Sequence, residues 1–282
     1  MTLVIAQRIG NQISLSSDSR ISFGINGFID YGIKIFTIPV KIYSPVSSET
    51  NNTSLDYNYN LGLAFAGSTT NAYTVKESVY EILQNLQYIP GHTDTSFDGI
   101  AGLVFKVFKK TTLDFGEILF QNGLCDLILT GFCPNQNKIR IFRYTCDITE
   151  NPIRPFYDEI LRDDGIAFLG SGKPEAEVIY NLNNSLSTLH IIKQVINDGY
   201  NSSVGGGLQY GEFESNNFKI FGIQDYLVKA DGSIAYLMKL RGINIYKDEF
   251  EMDSDGFHIA YTFKAPFTRE INQIWKLYND SL

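Results

Sequence analysis

The chain has 282 residues, 44% of them hydrophobic, and a net charge of -8 from 23 basic and 31 acidic side chains. That apolar fraction supports a sizeable core and excludes wholesale disorder. The acidic balance excludes a broad basic face for nucleic acid and a polybasic membrane anchor.

Strands are expected over 2–8 and 12–17, joined at Gly10-Asn11, a hairpin signal. Asp18-Ser19-Arg20 ends the second strand. A loop punctuated by Gly24, Gly27 and Gly32 leads to a third strand over 34–38, which Pro39 is expected to stop. Residues 44–60 are polar and read as an inserted loop. A strand over 61–66 then runs through Gly67 into a helix over 69–87, with Ser68 or Thr69 as N-cap. Its apolar positions are Ala72, Val75, Val79, Ile82, Leu83 and Leu86, of which Val75, Val79, Ile82 and Leu86 are expected to pack on a sheet.

A second helical pattern covers about 95–110, with Ile100, Leu103, Val104 and Val107 on one face. Strands are expected near 124–132, 138–145 and 166–169, and helices near 173–187 and 189–198. Gly205-Gly206-Gly207 introduces further strands near 219–224, 233–239, 242–247 and 257–263. An amphipathic helix with Ile271, Ile274, Trp275 and Tyr278 closes the chain. Strands, then helices, then strands predict an α+β fold in one domain over 1–282, with a polar insert near 44–60 and an extended C-terminal third.

The apolar run at the N-terminus is too short for a secretory segment, and no stretch reaches the roughly 18 apolar residues of a membrane span. Cys125, Cys133 and Cys146 are odd in number and lack C-x-x-C spacing, so a reduced, cytoplasmic setting is expected. His92, His190 and His258 are scattered, and neither metal nor cofactor is expected. Gly170-Ser171-Gly172-Lys173 fails as a phosphate loop, because Ala167 and Pro174 stand where glycine and a hydroxyl residue are required. No serine sits in a G-x-S-x-G elbow.

Thr2 is different. If Met1 is removed, one residue carries both a hydroxyl nucleophile and an α-amine of pKa about 7.7–8.0 that can take its proton. Such a group needs a nearby cation, a carboxylate to orient that cation, and a backbone N–H for the oxyanion. Asp18 at a strand end, Lys34 at a strand start and Gly67 at a strand-to-helix junction are the right residue types in suitable places.

Thr2-Leu3-Val4, Asp18-Ser19-Arg20, Lys34-Ile35-Phe36-Thr37-Ile38, Ala66-Gly67-Ser68-Thr69 and Gly170-Ser171-Gly172 fall in the order of a proteasome β-type subunit. The chain resembles the proteasome β-subunit/HslV-like family of N-terminal nucleophile hydrolases, whose nucleophile, acid and lysine share the even spacing of Thr2, Asp18 and Lys34. The resemblance implies a four-layer α-β-β-α sandwich of two antiparallel sheets. It implies Thr2 as nucleophile, Asp18 as partner of Lys34, Gly67 as oxyanion-hole glycine and Ser171 as the serine near the terminal amine. Threonine-type cleavage of peptide bonds in a homo-oligomeric ring would follow, on peptide or unfolded protein substrates, with an unfoldase ATPase as a further partner. Where the family carries an aspartate three residues before a serine, aligning the glycines places Asn201 and Val204; Asp198 fits only after a slip. A catalytically silent scaffold subunit and a small-molecule amidase of the same fold stay open.

Overall fold

The computed structural model describes residues 2–23, 27–45, 55–89, 91–149, 152–245 and 261–279. In chain order the elements are β1 (Val4–Ile9), β2 (Gln12–Asp18), β3 (Ile21–Ser22), β4 (Phe28–Ile29), β5 (Ile35–Tyr43), β6 (Leu55–Gly67), α1 (Thr69–Leu83), β7 (Leu86–Gln87) and α2 (Phe97–Leu119). There follow β8 (Cys125–Cys133), β9 (Lys138–Asp147), β10 (Arg154–Glu159), β11 (Gly165–Leu169), α3 (Lys173–Leu182), α4 (Thr188–Asp198), β12 (Leu208–Glu214) and β13 (Asn217–Val228). The last are β14 (Ile234–Leu240), β15 (Ile243–Asn244), β16 (Phe263–Lys264) and α5 (Thr268–Asn279).

Strict alternation along the strands sorts the core into layers. Val4, Ala6, Ile13 and Leu15 face Ala64, Ala66 and Ile128 between the two large sheets, with Phe218 in the same cluster. The intervening Leu3 and Ile5 face the other way, onto Ala176, Ile191 and Ile192 of α3 and α4. On the second sheet Leu63, Phe65, Leu127 and Leu129 point outward against Val75 and Val79 of α1 and Val104 and Phe108 of α2.

The expected α+β fold, a four-layer α-β-β-α sandwich of two antiparallel sheets, is corrected by these strands. Among the described residues the structure is mostly β, 41% strand against 30% helix, and the strands form three sheets. An eight-stranded sheet runs β11-β1-β2-β12-β13-β14-β15 with β16 beside β13, a six-stranded sheet runs β10-β9-β8-β6-β5-β7, and β3 and β4 make a ribbon. Two pairings are parallel, β5 with β7 and β13 with β16. The extra strand content comes from β10 and β12 and the short β3, β4 and β7, all unforeseen, and from β5, β6 and β13, which run longer than expected.

Several boundaries also move. Pro39 does not stop its strand: it pairs with Asn60 and its other side is open, because β7 reaches β5 only at Ile42 and Tyr43. A missing N–H is harmless on such an edge. Of the expected insert, 55–60 belongs to β6, while 46–54 lies outside the described residues. α1, capped by Ser68, ends at Leu83; there Leu83 is buried, whereas Ile82 is 38% exposed and Leu86 belongs to β7. α2 runs nine residues past its expected end at 110, to Leu119. Most of the strand expected near 257–263 lies outside the described residues. Among the described residues no helix is long and apolar enough to cross a membrane.

Candidate active site

The expected residues converge where the start of β1 meets the ends of β2 and β11. Asp18 closes β2, whose hairpin partner β1 begins at Val4. Antiparallel pairing therefore returns its carboxylate to the N-terminal segment. Asp18 Oδ1 accepts from Lys34 Nζ at 2.8 Å and from the Leu3 N–H at 2.9 Å. Its Oδ2 accepts from the N–H groups of Arg20 at 3.1 Å and Gly205 at 3.0 Å. Both side chains of the Lys34–Asp18 pair are 0% exposed. Four donors on one carboxylate satisfy a charge that would otherwise be prohibitive to bury. Burial pulls the Lys34 ammonium below its ordinary pKa, with the Asp18 charge opposing that shift.

Lys34 is held at its backbone too. The Gln209 amide oxygen accepts from the N–H groups of Lys34 and Ile35 at 3.0 and 3.3 Å, and its amide nitrogen donates to the Gly32 carbonyl at 2.5 Å. Gln209 is buried and was not foreseen; an isolated glutamine in a strand carries no sequence signal for this role.

On the other flank, the Thr2 N–H donates to Ser171 Oγ at 3.2 Å. This nitrogen is the one that loss of Met1 would convert to an α-amine. Ser171 Oγ lies 2.7 Å from Ser203 Oγ, and Ser203 Oγ donates to Asn201 Oδ1 at 2.5 Å. The Asn201 amide nitrogen returns to the Ser171 carbonyl at 2.8 Å. The alignment that put Val204 at the serine position is thus off by one: Ser203 carries the hydroxyl, and Val204 packs into the core. A serine directly before Val204 was the available signal. Asn201, and not Asp198 in the last turn of α4, joins this chain of hydroxyls.

Gly170 adopts φ +92°, and a Cβ there would lie 2.1 Å from the Thr2 carbonyl oxygen, so only glycine lets β11 pass so close. Gly67 ends β6 at φ +99°, just before the helix cap Ser68, and a Cβ there would meet the Leu124 carbonyl at 2.7 Å. Gly67 makes no hydrogen bond to the other four residues but shares a cleft with one of them. That cleft, of about 300 Å³, is lined by Ala66, Gly67, Asp126, Cys146, Gly170 and Ser171 among others. A second, of about 400 Å³, opens on the other side of Gly67 against Ser22, Phe23, Ser68, Thr69 and Thr70. A larger cleft of about 580 Å³ between α2 and β10 includes none of the five residues. Among the described residues no cluster of His, Cys, Asp and Glu could hold a metal ion.

No protein-family model matches the chain, and no curated protein matches its sequence. Solved structures do share its fold. Anbu (ancestral beta-subunit) from Yersinia bercovieri superposes with a TM-score of 0.52 at 16% identity, over 77% of this chain and 86% of that one. A Gly-1 mutant of Anbu from Hyphomicrobium sp. strain MC1 gives 0.54 at 14% identity over 98% and 97%. The helical assembly of the Anbu complex from Pseudomonas aeruginosa gives 0.54 at 13% over 99% and 94%. These neighbours correct the expected family: Anbu is proteasome-like but distinct from the proteasome β-subunit/HslV-like family. At 13–16% identity the likeness is one of fold alone.

Proposed function

We propose that this chain is an amide hydrolase with Thr2 as its N-terminal nucleophile, cleaving peptide bonds within a multi-copy assembly. The observation that carries the reading is the Asp18 carboxylate, shared in a dry interior between Lys34 Nζ and the N–H of the residue after Thr2. Once Met1 is removed, the Thr2 hydroxyl attacks the substrate carbonyl and the α-amine of Thr2 takes its proton. The Lys34 charge disfavours a second cation beside it and so keeps that amine neutral near pH 7. The Gly67 N–H, at the mouth of α1, receives the oxyanion. Collapse expels the substrate amine, which leaves with the proton held by the α-amine. Water, deprotonated by the same amine, then hydrolyses the Thr2 ester. Ser171, backed by Ser203 and Asn201, orients the amine throughout. The self-association follows by extension from the Pseudomonas aeruginosa Anbu neighbour, which forms a helical assembly.

One observation favours a second reading, a catalytically silent subunit. Thr2 is only 2% exposed, and neither cleft beside Gly67 is lined by it. Intact mass after treatment with an electrophilic β-lactone separates the two. Hydrolase chemistry requires loss of Met1 and one covalent adduct, absent from Thr2→Ala. Protein that keeps Met1 and takes no adduct is the silent subunit. Light scattering that finds only monomer at micromolar concentration removes the assembly.

A further inference from the structure

The cleft on the Ser171 side of Gly67 contains a charged group with no task in the chemistry above. Asp126 lies on β8 directly across from Ala66, one residue from Gly67. Its neighbours Cys125 and Leu127 point into the core under α1 and α2, whereas Ile128 points between the two large sheets. Alternation puts Asp126 on the same face as Ile128, at the open end of the gap between the sheets, beside Gly170 and Ser171.

Two basic residues act on Asp126 from a distance, Arg143 and Lys173. Each has a nearer acidic partner, Asp158 at 3.5 Å for Arg143 and Glu177 at 3.6 Å for Lys173. Among the described residues Asp126 has no ion-pair partner. Burial raises its pKa, which the Thr145 hydroxyl and those two cations only partly oppose. The rest of the lining includes the apolar Leu124 and Ile148 and the polar Gln121 and Thr145. A cleft of mixed lining with apolar walls at Ala66, Leu124 and Ile148 and a single carboxylate fits a side chain with an aliphatic stem and a cationic head.

We propose that the Asp126 cleft is a substrate subsite that receives a lysine or arginine side chain next to the scissile amide. The position rests on the reading of Thr2 as nucleophile, since Ser171 forms the cleft wall and also bonds the Thr2 nitrogen. The net charge of -8 adds a general attraction for cationic peptides but no register. Asp126 and the apolar wall supply the register.

Binding and turnover test it separately. Thr2→Ala protein is titrated, by fluorescence anisotropy, with two peptides differing only in lysine or acetyl-lysine beside the scissile bond. The subsite predicts binding about tenfold tighter for the lysine peptide, with the difference collapsing in Thr2→Ala/Asp126→Asn. In wild type, kcat/KM for the two peptides should differ by a similar factor, carried mainly by KM. Equal affinity for both peptides overturns the subsite, as does a lysine preference that survives Asp126→Asn. The acetyl-lysine comparison needs no Asp126 variant, so a folding defect in that variant leaves the test standing. Tight, Asp126-dependent binding without any turnover keeps the subsite and defeats the hydrolase reading.

Discussion

Two polar groups flank Thr2, and they are built oppositely. The Asp18–Lys34 pair is charged, fully buried and tied to the backbone at Leu3, Arg20 and Gly205. The Ser171–Ser203–Asn201 chain is neutral, partly buried and linked side chain to side chain. The first therefore belongs to the fold as much as to the chemistry, because it locks β1, β2 and the glycine loop together. The second can be trimmed one hydroxyl at a time. Charge in a dry site is expensive to disturb, whereas a neutral hydroxyl costs only its hydrogen bond.

The largest expected effect comes from splitting the pair. Asp18→Asn leaves the Lys34 ammonium buried without a carboxylate and should cost about 3–5 kcal/mol of stability in urea unfolding. Lys34→Met leaves Asp18 with three backbone donors, so its stability loss should be smaller, about 1–3 kcal/mol. Its peptide hydrolysis should nevertheless fall on the order of 10²–10³-fold, as for loss of a fixed charge that holds the reacting groups in their working state. Equal stability losses in the two variants would dissolve the asymmetry.

A pH series sharpens the same contrast. Burial depresses the Lys34 pKa in the folded chain relative to about 10.5 when unfolded, so in that window the unfolded state binds more protons. The cost of burying the ammonium is fully present below the depressed pKa and is relieved as pH rises toward the unfolded value. Wild type should thus gain stability relative to Lys34→Met across that window, and chemical unfolding at stepped pH reads the difference. A falling difference contradicts the assigned direction.

Trimming the neutral chain should do less. Ser171→Ala removes the contact to the Thr2 nitrogen and should lower kcat/KM roughly tenfold, while Ser203→Ala, one hydroxyl further out, should lower it by about fivefold or less. Unfolding midpoints of both should stay near wild type. If Ser203→Ala equals Lys34→Met in either measurement, the division between the two flanks fails.

The candidate site was legible in the sequence only in part. Thr2, Asp18 and Lys34 are candidates because their spacing matches that of the family the chain resembles; the structure joins Asp18 to Lys34 across the two large sheets. Gln209 could not be read, since it reaches the Lys34 backbone only across the packed sheets, whereas Ser203 was obscured only by the one-residue slip that set Val204 in its place. Helix α1 was visible through its period and its Ser68 cap, but its end was misjudged because Leu86 continues the apolar pattern while belonging to β7. β12 escaped notice because Gly205-Gly206-Gly207 and the polar alternation after it look like a loop. Its partners, β2 and β13, supply the strand environment. Pro39 shows the converse error: a local breaker rule was applied to an edge, where tertiary context makes it harmless.

The pairing of β2 with β12 has a consequence for the order in which the molecule is made. Asp18 waits for the N–H of Gly205, 187 residues further along the chain, before its fourth donor exists. During synthesis the six-stranded sheet, built from residues 35 to 159, can close while β1 and β2 still lack both outer neighbours. The lysine and carboxylate then remain hydrated, and the dry environment that sets their proton affinities is absent. Contacts of such long sequence separation form late and slowly. The surroundings proposed to activate Thr2 are thereby complete only after Gly205 has been made and β12 has paired, so that a shorter chain carries Thr2 without that setting.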